Sequence, residues 1–139
     1  MWYLFAFVDK LKSFRTFGLD RISNLIITDD VFQREPVLEE TAKRFDKVYG
    51  LVYEPDNNPT APIEEVKLRI SSSMLPYFQS LPIHASQVIE RDIVTLHLII
   101  NPELENRIMS YGEHVEVLSP LSLRESIKDR IQKMLSRYK

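Results

Sequence analysis

Residues 54–62, EPDNNPTAP, constrain this chain more than any other stretch: three prolines and two asparagines in nine residues, with Ala61 the only apolar side chain. Proline lacks a backbone donor and biases its predecessor away from the α region, so neither a helix nor a central strand runs through such a segment. It reads as a linker or long loop, and the chain on each side must bury its own apolar residues. The expected organisation is a first part over 1–53, a linker over 54–62 and a second part over 63–139. A length of 139 residues with 44% hydrophobic side chains accommodates one domain or two small ones.

Past the linker the periodicities are clear. Val66, Leu68 and Ile70 alternate with Lys67 and Arg69, the pattern of a half-buried strand, and SMLPYFQSL follows as a short helix disrupted near Pro76. Residues 83–90 and 93–100 flank Arg91-Asp92 and predict an antiparallel hairpin. Asn101 ahead of Pro102 is an N-cap followed by proline at the first helical position, Leu104, Ile108 and Tyr111 supply a buried stripe, and Gly112 ends the helix. Val115 to Leu118 is a short strand. Ser122 with Glu125 predicts a capping box for a terminal helix carrying Leu123, Ile127, Ile131, Met134 and Tyr138 on one face. Strand, helix, strand, strand, helix, strand, helix is the ferredoxin-like split βαβ order plus one helix, a fold-level reading shared by many functions.

Before the linker, Trp2 to Val8 is apolar on both alternating faces and reads as a strand. Asp9 to Lys12 turns the chain into a second strand over Ser13 to Leu19, and a third is expected over Asn24 to Thr28. VLEETAKRFDKV, 37–48, has helical spacing at Leu38, Ala42, Phe45 and Val48.

Several function classes find no support. The run from Trp2 to Val8 has no basic stretch ahead of it, is followed by Asp9, Lys10 and Lys12, and shows no cleavage pattern, so it is no secretion signal, and it is too short to span a bilayer; a cytoplasmic location is expected. There is no cysteine, hence no thiolate metal or redox site. A net charge of −2 argues against a broad duplex-binding footprint, although Lys10, Lys12, Arg15 and Arg21 form a local basic strip against Asp20 alone. No nucleophile elbow, phosphate loop or dinucleotide fingerprint is present, so no catalytic residue, enzyme activity or cofactor is assigned. His84, His97 and His114 lack the close ligand pairs of a zinc site. The cations of the terminal helix (Arg124, Lys128, Arg130, Lys133, Arg137, Lys139) read as a solvated face.

Trp2-Tyr3-Leu4, RTFGLDRI at 15–22, PIHASQ at 82–87, NPELENRIMSYGEHVEVLSP at 101–120 and LRESI at 123–127, in that order, resemble the WYL-domain family of bacterial transcriptional regulators with its WCX carboxy-terminal extension. The resemblance implies an α+β protein: a partial Sm-like, SH3-like β-barrel over 1–53, acting as an effector-binding module, then a ferredoxin-like WCX extension over 63–139 with an extra carboxy-terminal helix. It implies single-stranded or short oligonucleotides as ligands and a WCX part that assists dimerisation and signalling. Relatives carry further barrel strands and a winged helix-turn-helix ahead of the Trp-Tyr-Leu strand, so the chain is expected to be a truncated fragment that reaches duplex DNA only through that absent domain.

Tyr3, Lys12, Arg15, Phe17 and Arg21 are the candidate ligand-binding residues, because aromatic faces stack bases while cations follow the backbone. Arg15 is either an ion-pair partner, for instance of Asp20, or a fork aimed at an anion, and the resemblance favours ligand contact. Whether it shares a face with Tyr3 or with Trp2 depends on hairpin register. His84 and Gln87, in PIHASQ, are candidates for a role between the domains, with a structural hydrogen bond as the plainer reading for His84. The expected function is effector sensing and dimerisation; the alternative is a protein-interaction module that binds no effector in this form.

Overall fold

A computed structural model describes residues 1–55 and 58–139. The chain forms two compact units, Met1–Lys43 and Arg44–Lys139. It is an α+β protein with two antiparallel sheets and, among the described residues, four α-helices. The units divide ahead of the segment 54–62 because residues 44–53 bond to the second unit; residues 56 and 57 of that segment lie outside the described ones.

In the first unit β1 (Tyr3–Val8) and β2 (Ser13–Gly18) pair as an antiparallel hairpin. The turn closes through Leu11 N–H to the Val8 carbonyl at 3.0 Å, with Lys12 at φ +48° and its ammonium 3.1 Å from Asp9. Phe14 stacks on Phe5 with centroids 4.8 Å apart and meets Phe7 edge-on at 5.4 Å. The strand expected over 24–28 does not form: Leu25, Ile26 and Ile27 are exposed, Ile27 by 97%. Apolar β-branched residues make a strand only where a ladder accepts their backbone groups, and no described strand pairs with them. The helix expected over 37–48 is α1 (Pro36–Lys43), followed by a 3-10 turn over Arg44–Lys47.

The second unit runs β3 (Ile63–Ile70), α2 (Leu75–Ser80), β4 (Val88–Glu90), β5 (Ile93–Ile99), α3 (Pro102–Met109), β6 (Val115–Ser119) and α4 (Leu121–Ser136). The sheet order is β4-β5-β3-β6, antiparallel throughout. Val66, Leu68 and Ile70 enter the core with Val94, Leu96 and Leu98, beneath Phe78, Leu104, Ile108 and Leu123. The Asn101 side chain accepts the Leu104 N–H at 2.8 Å, the cap expected there.

Three local expectations change. The strand over 83–90 shrinks to 88–90, because Gln87 folds the preceding residues into a turn: its Oε1 accepts the Ile83 N–H at 3.0 Å and its amide donates to the Phe78 carbonyl at 2.8 Å. The Ser122–Glu125 capping box is absent, since α4 begins at Leu121 with Pro120 at the cap position and Ser122 already inside the helix. Gly112, at φ +59°, opens a 3-10 turn beyond α3 rather than ending the helix itself, which stops at Met109. Along α4, Leu123 and Ile127 are buried while Ile131 is 53% exposed, and the helix ends at Ser136, so Tyr138, expected on its face, lies beyond it and is 86% exposed. No helix among the described residues is long and apolar enough to cross a membrane.

Candidate ligand-binding surface

Side chains directly opposite in an antiparallel pair project from the same face. In this hairpin Leu4 opposes Phe17, Ala6 opposes Arg15 and Val8 opposes Ser13; Tyr3 opposes Gly18, Phe5 opposes Thr16 and Phe7 opposes Phe14. One face is therefore Leu4, Ala6, Val8, Ser13, Arg15 and Phe17, and the other carries Tyr3 with the Phe5, Phe7 and Phe14 cluster. The Phe cluster lines a cavity of about 850 Å³ with Leu38 and Ala42 of α1. The opposite face is exposed at Leu4, Arg15 and Phe17, with Leu4 46% and Phe17 41% exposed, while Ala6, Val8 and Ser13 on it are half-buried.

Of the sequence candidates, the hairpin brings Arg15 and Phe17 together, two residues apart on one strand face. Arg15 is exposed and its only side-chain hydrogen bond among the described residues is Nη1 to the neighbouring Phe14 carbonyl at 3.3 Å. Neither Arg15 nor Arg21 makes an ion pair among the described residues. Arg21 lies in the 3-10 turn Leu19–Arg21 directly beyond β2. Gly18 leaves room there, since a Cβ at 18 would meet the Asp20 carboxylate at 2.6 Å. Two candidates stand apart. Tyr3 sits on the other face with its hydroxyl 3.1 Å from the Met1 sulfur, and Lys12 sits at the hairpin turn bound to Asp9.

The PIHASQ residues make contacts inside the second unit. His84 Nδ1 accepts the Ser86 N–H at 3.1 Å, which leaves the proton on Nε2, and Nε2 donates to the Asp46 carbonyl at 2.8 Å. Ser86 Oγ in turn accepts the His97 N–H at 2.9 Å.

The sheet side carrying Glu65, Lys67 and Arg69 is covered by ion pairs. Glu65 lies 3.0 Å from Lys67 and 3.5 Å from His97, and Glu116 lies 2.9 Å from Arg124 and 3.1 Å from Arg69. A hydrogen bond from Lys67 holds the Glu65 carboxyl below its ordinary value, and one from Arg124 does the same for Glu116. β3, β5 and β6 present no Phe, Tyr or Trp on this face, and its one aromatic ring is the His97 imidazole beside Glu65. His114 Nδ1 is 3.1 Å from the Ser71 hydroxyl, and no group of three His, Asp or Glu among the described residues is placed to hold a metal ion.

Beyond His84, which bonds Asp46, sequence reasoning did not single out the groups that hold residues 49–52. Asn101 Nδ2 donates to the carbonyls of Tyr49 at 3.0 Å and Val52 at 2.8 Å, and Glu103 Oε1 accepts from the N–H groups of Leu51 and Val52 at 2.9 and 3.0 Å. Asn101 was visible only as a helix cap, and neither Glu103 nor Gly50 carries a local signal for so distant a contact.

A family model described as "WCX domain" matches residues 62–135. The chain is also 28% identical over 144 residues to a protein of Bacillus subtilis (strain 168) described as "Uncharacterized HTH-type transcriptional regulator YobV", a match that takes in 99% of this chain and 42% of the relative. The chain thus spans less than half the length of that relative.

Proposed function

Because the chain belongs to the WCX domain family, we propose that it is the effector-sensing and dimerisation region of a bacterial WYL-family transcriptional regulator. In this reading residues 1–53 are part of a WYL domain with an Sm-like or SH3-like barrel, and residues 63–139 are its WCX extension. The β4-β5-β3-β6 order supports a ferredoxin-like assignment for the extension, with α4 as the added helix. The similarity to an HTH-type regulator supports the regulatory context.

The ligand is a single-stranded oligonucleotide or a similar anionic, stackable molecule. The observation that carries this reading is the exposed pair Arg15 and Phe17 on one face of β2, a cation without an ion pair among the described residues beside an aromatic ring. Arg21 extends the cationic track at the end of the strand. Titration of a fluorescent short single strand tests it. Two phosphate contacts give a salt slope of about −1.4, roughly a sevenfold loss of affinity between about 50 and about 200 mM salt. Binding that is absent, or indifferent to salt and to Arg15→Ala with Arg21→Ala, overturns the ligand assignment.

One observation favours the second reading, an interaction module without effector. The last turns of α4 expose Ile131, Met134 and Leu135, and Tyr138 just beyond its end is exposed with them, beside an apolar groove of about 410 Å³. Light scattering separates the roles: a dimer that binds the strand fits sensing with dimerisation, a dimer that binds none fits the module, and a monomer removes dimerisation from both.

A further inference from the structure

β5 has seven residues, but β4 pairs with it only from Ile93 to Thr95. On that side the backbone of Leu96 to Ile99 has no strand beside it, and an uncovered edge invites pairing with another chain. Two pieces of non-strand chain cover it. Ser86 Oγ takes the His97 N–H, and Val48 forms a single parallel bridge to Ile99, where both side chains are buried in a small cluster with Ala61.

The segment around Val48 is held in an unusual way. Its backbone groups are taken by side chains from elsewhere in the second unit: Asp46 by His84, Tyr49 and Val52 by the Asn101 amide, Leu51 and Val52 by the Glu103 carboxylate. Gly50, at φ +82°, turns two successive N–H groups toward Glu103, and a Cβ at that position would overlap the carboxylate. Val48 is the only fully buried side chain between Asp46 and Val52. Segments secured by few apolar contacts open more readily than the core they rest on.

We propose that residues 46–52 form a strap that closes the free edge of β5 and opens as one piece while the sheet stays folded. The strap begins within the 3-10 turn Arg44–Lys47, in the first residues of the second unit. His84, Asn101 and Glu103 are its latches, and Gly50 is the position that lets Glu103 engage. The proposal does not depend on whether the first unit binds an oligonucleotide.

Hydrogen exchange of the full 139-residue chain, read by mass spectrometry over peptides spanning 46–53, 96–100 and 64–70, tests it. In the unaltered protein the strap exchanges at least about tenfold faster than 64–70, the strand at the centre of the core. Glu103→Ala and, separately, Gly50→Ala each speed exchange in 46–53 and in 96–100 together, by at least about tenfold, and leave 64–70 unchanged. The two variants act on opposite sides of the contact, and Glu103→Ala leaves the Asn101 cap of α3 in place. Three results overturn the proposal: a strap as slow as 64–70 in the unaltered protein, acceleration of 46–53 without 96–100, or acceleration of all three peptides together.

Discussion

Arg15 of β2 stands directly opposite Ala6 of β1, so its side chain leaves the hairpin on the face that carries Leu4 and Phe17, not on the face that carries Tyr3.

That placement separates the aromatic candidates. On the proposed oligonucleotide reading, Phe17→Ala removes a stacking face worth about 1–3 kcal/mol per base, which lowers affinity for a labelled single strand by roughly fivefold to over a hundredfold. Arg15→Ala flattens the salt slope by about 0.7. Tyr3→Ala, on the opposite face, changes affinity by less than about twofold. Fluorescence anisotropy at two salt concentrations reads all three, and a Tyr3 effect equal to that of Phe17 shows that the ligand lies on the Phe5 and Phe7 side.

Asn101 carries two loads, the cap of α3 and the carbonyls of Tyr49 and Val52, with a side chain 2% exposed. Asn101→Ala loses a cap worth about 0.5–2 kcal/mol and strands two acceptors, for a total near 2–4 kcal/mol. Asn101→Asp retains a capping oxygen but sets a carboxylate against two carbonyls, so it destabilises at least as much as alanine. Urea unfolding measures both. An aspartate variant as stable as the unaltered protein means that the cap alone matters.

What could be read from the chain was what is local. Val66, Leu68 and Ile70 announce their strand by alternation, and Asn101-Pro102 announces its helix within three residues. Leu25 to Thr28 has strand composition, but a strand needs a partner, and composition does not supply one. Ser122 and Glu125 have capping-box spacing, yet Pro120 starts the helix early enough to carry Ser122 inside it. The ligand-surface candidates were legible as residue types, but their grouping was not: one residue more or fewer in the turn at 9–12 would put Arg15 with Tyr3. The Glu103 contact to Leu51 joins residues far apart in sequence, and only the folded second unit brings them together.

Glu65 and Glu116 give stability a defined pH response. Both carboxyls titrate below their ordinary value of 4.5 in the folded chain, chiefly through hydrogen bonds from Lys67 and Arg124 respectively. The folded state therefore binds fewer protons than the unfolded one between the lowered values and 4.5. Their contribution is complete above that value and is lost as pH falls through the folded one. Arg124→Ala is expected to return the Glu116 midpoint toward 4.5 in a carboxyl-resolved NMR titration and to reduce the slope of stability against pH in that acid window, with no change of slope between about pH 6 and about pH 8. An unmoved Glu116 midpoint shows that Arg69 suffices to hold the carboxylate.

α4 is two helices in energetic terms. Ile127 is buried against the sheet, and Ile131, one turn later on the same side, is 53% exposed at the rim of the apolar groove. Ile127→Ala leaves a cavity in packed surroundings and costs about 2–4 kcal/mol, whereas Ile131→Ala costs under about 1 kcal/mol in a monomer because solvent already reaches it. If the groove pairs with a second copy, Ile131 is buried there, and its substitution acts on association rather than on folding. The cost of Ile131→Ala then grows with protein concentration while that of Ile127→Ala does not. Thermal unfolding of both variants over about a hundredfold range of concentration makes the comparison. Equal, concentration-independent shifts mean that the exposed half of α4 contributes nothing to dimerisation.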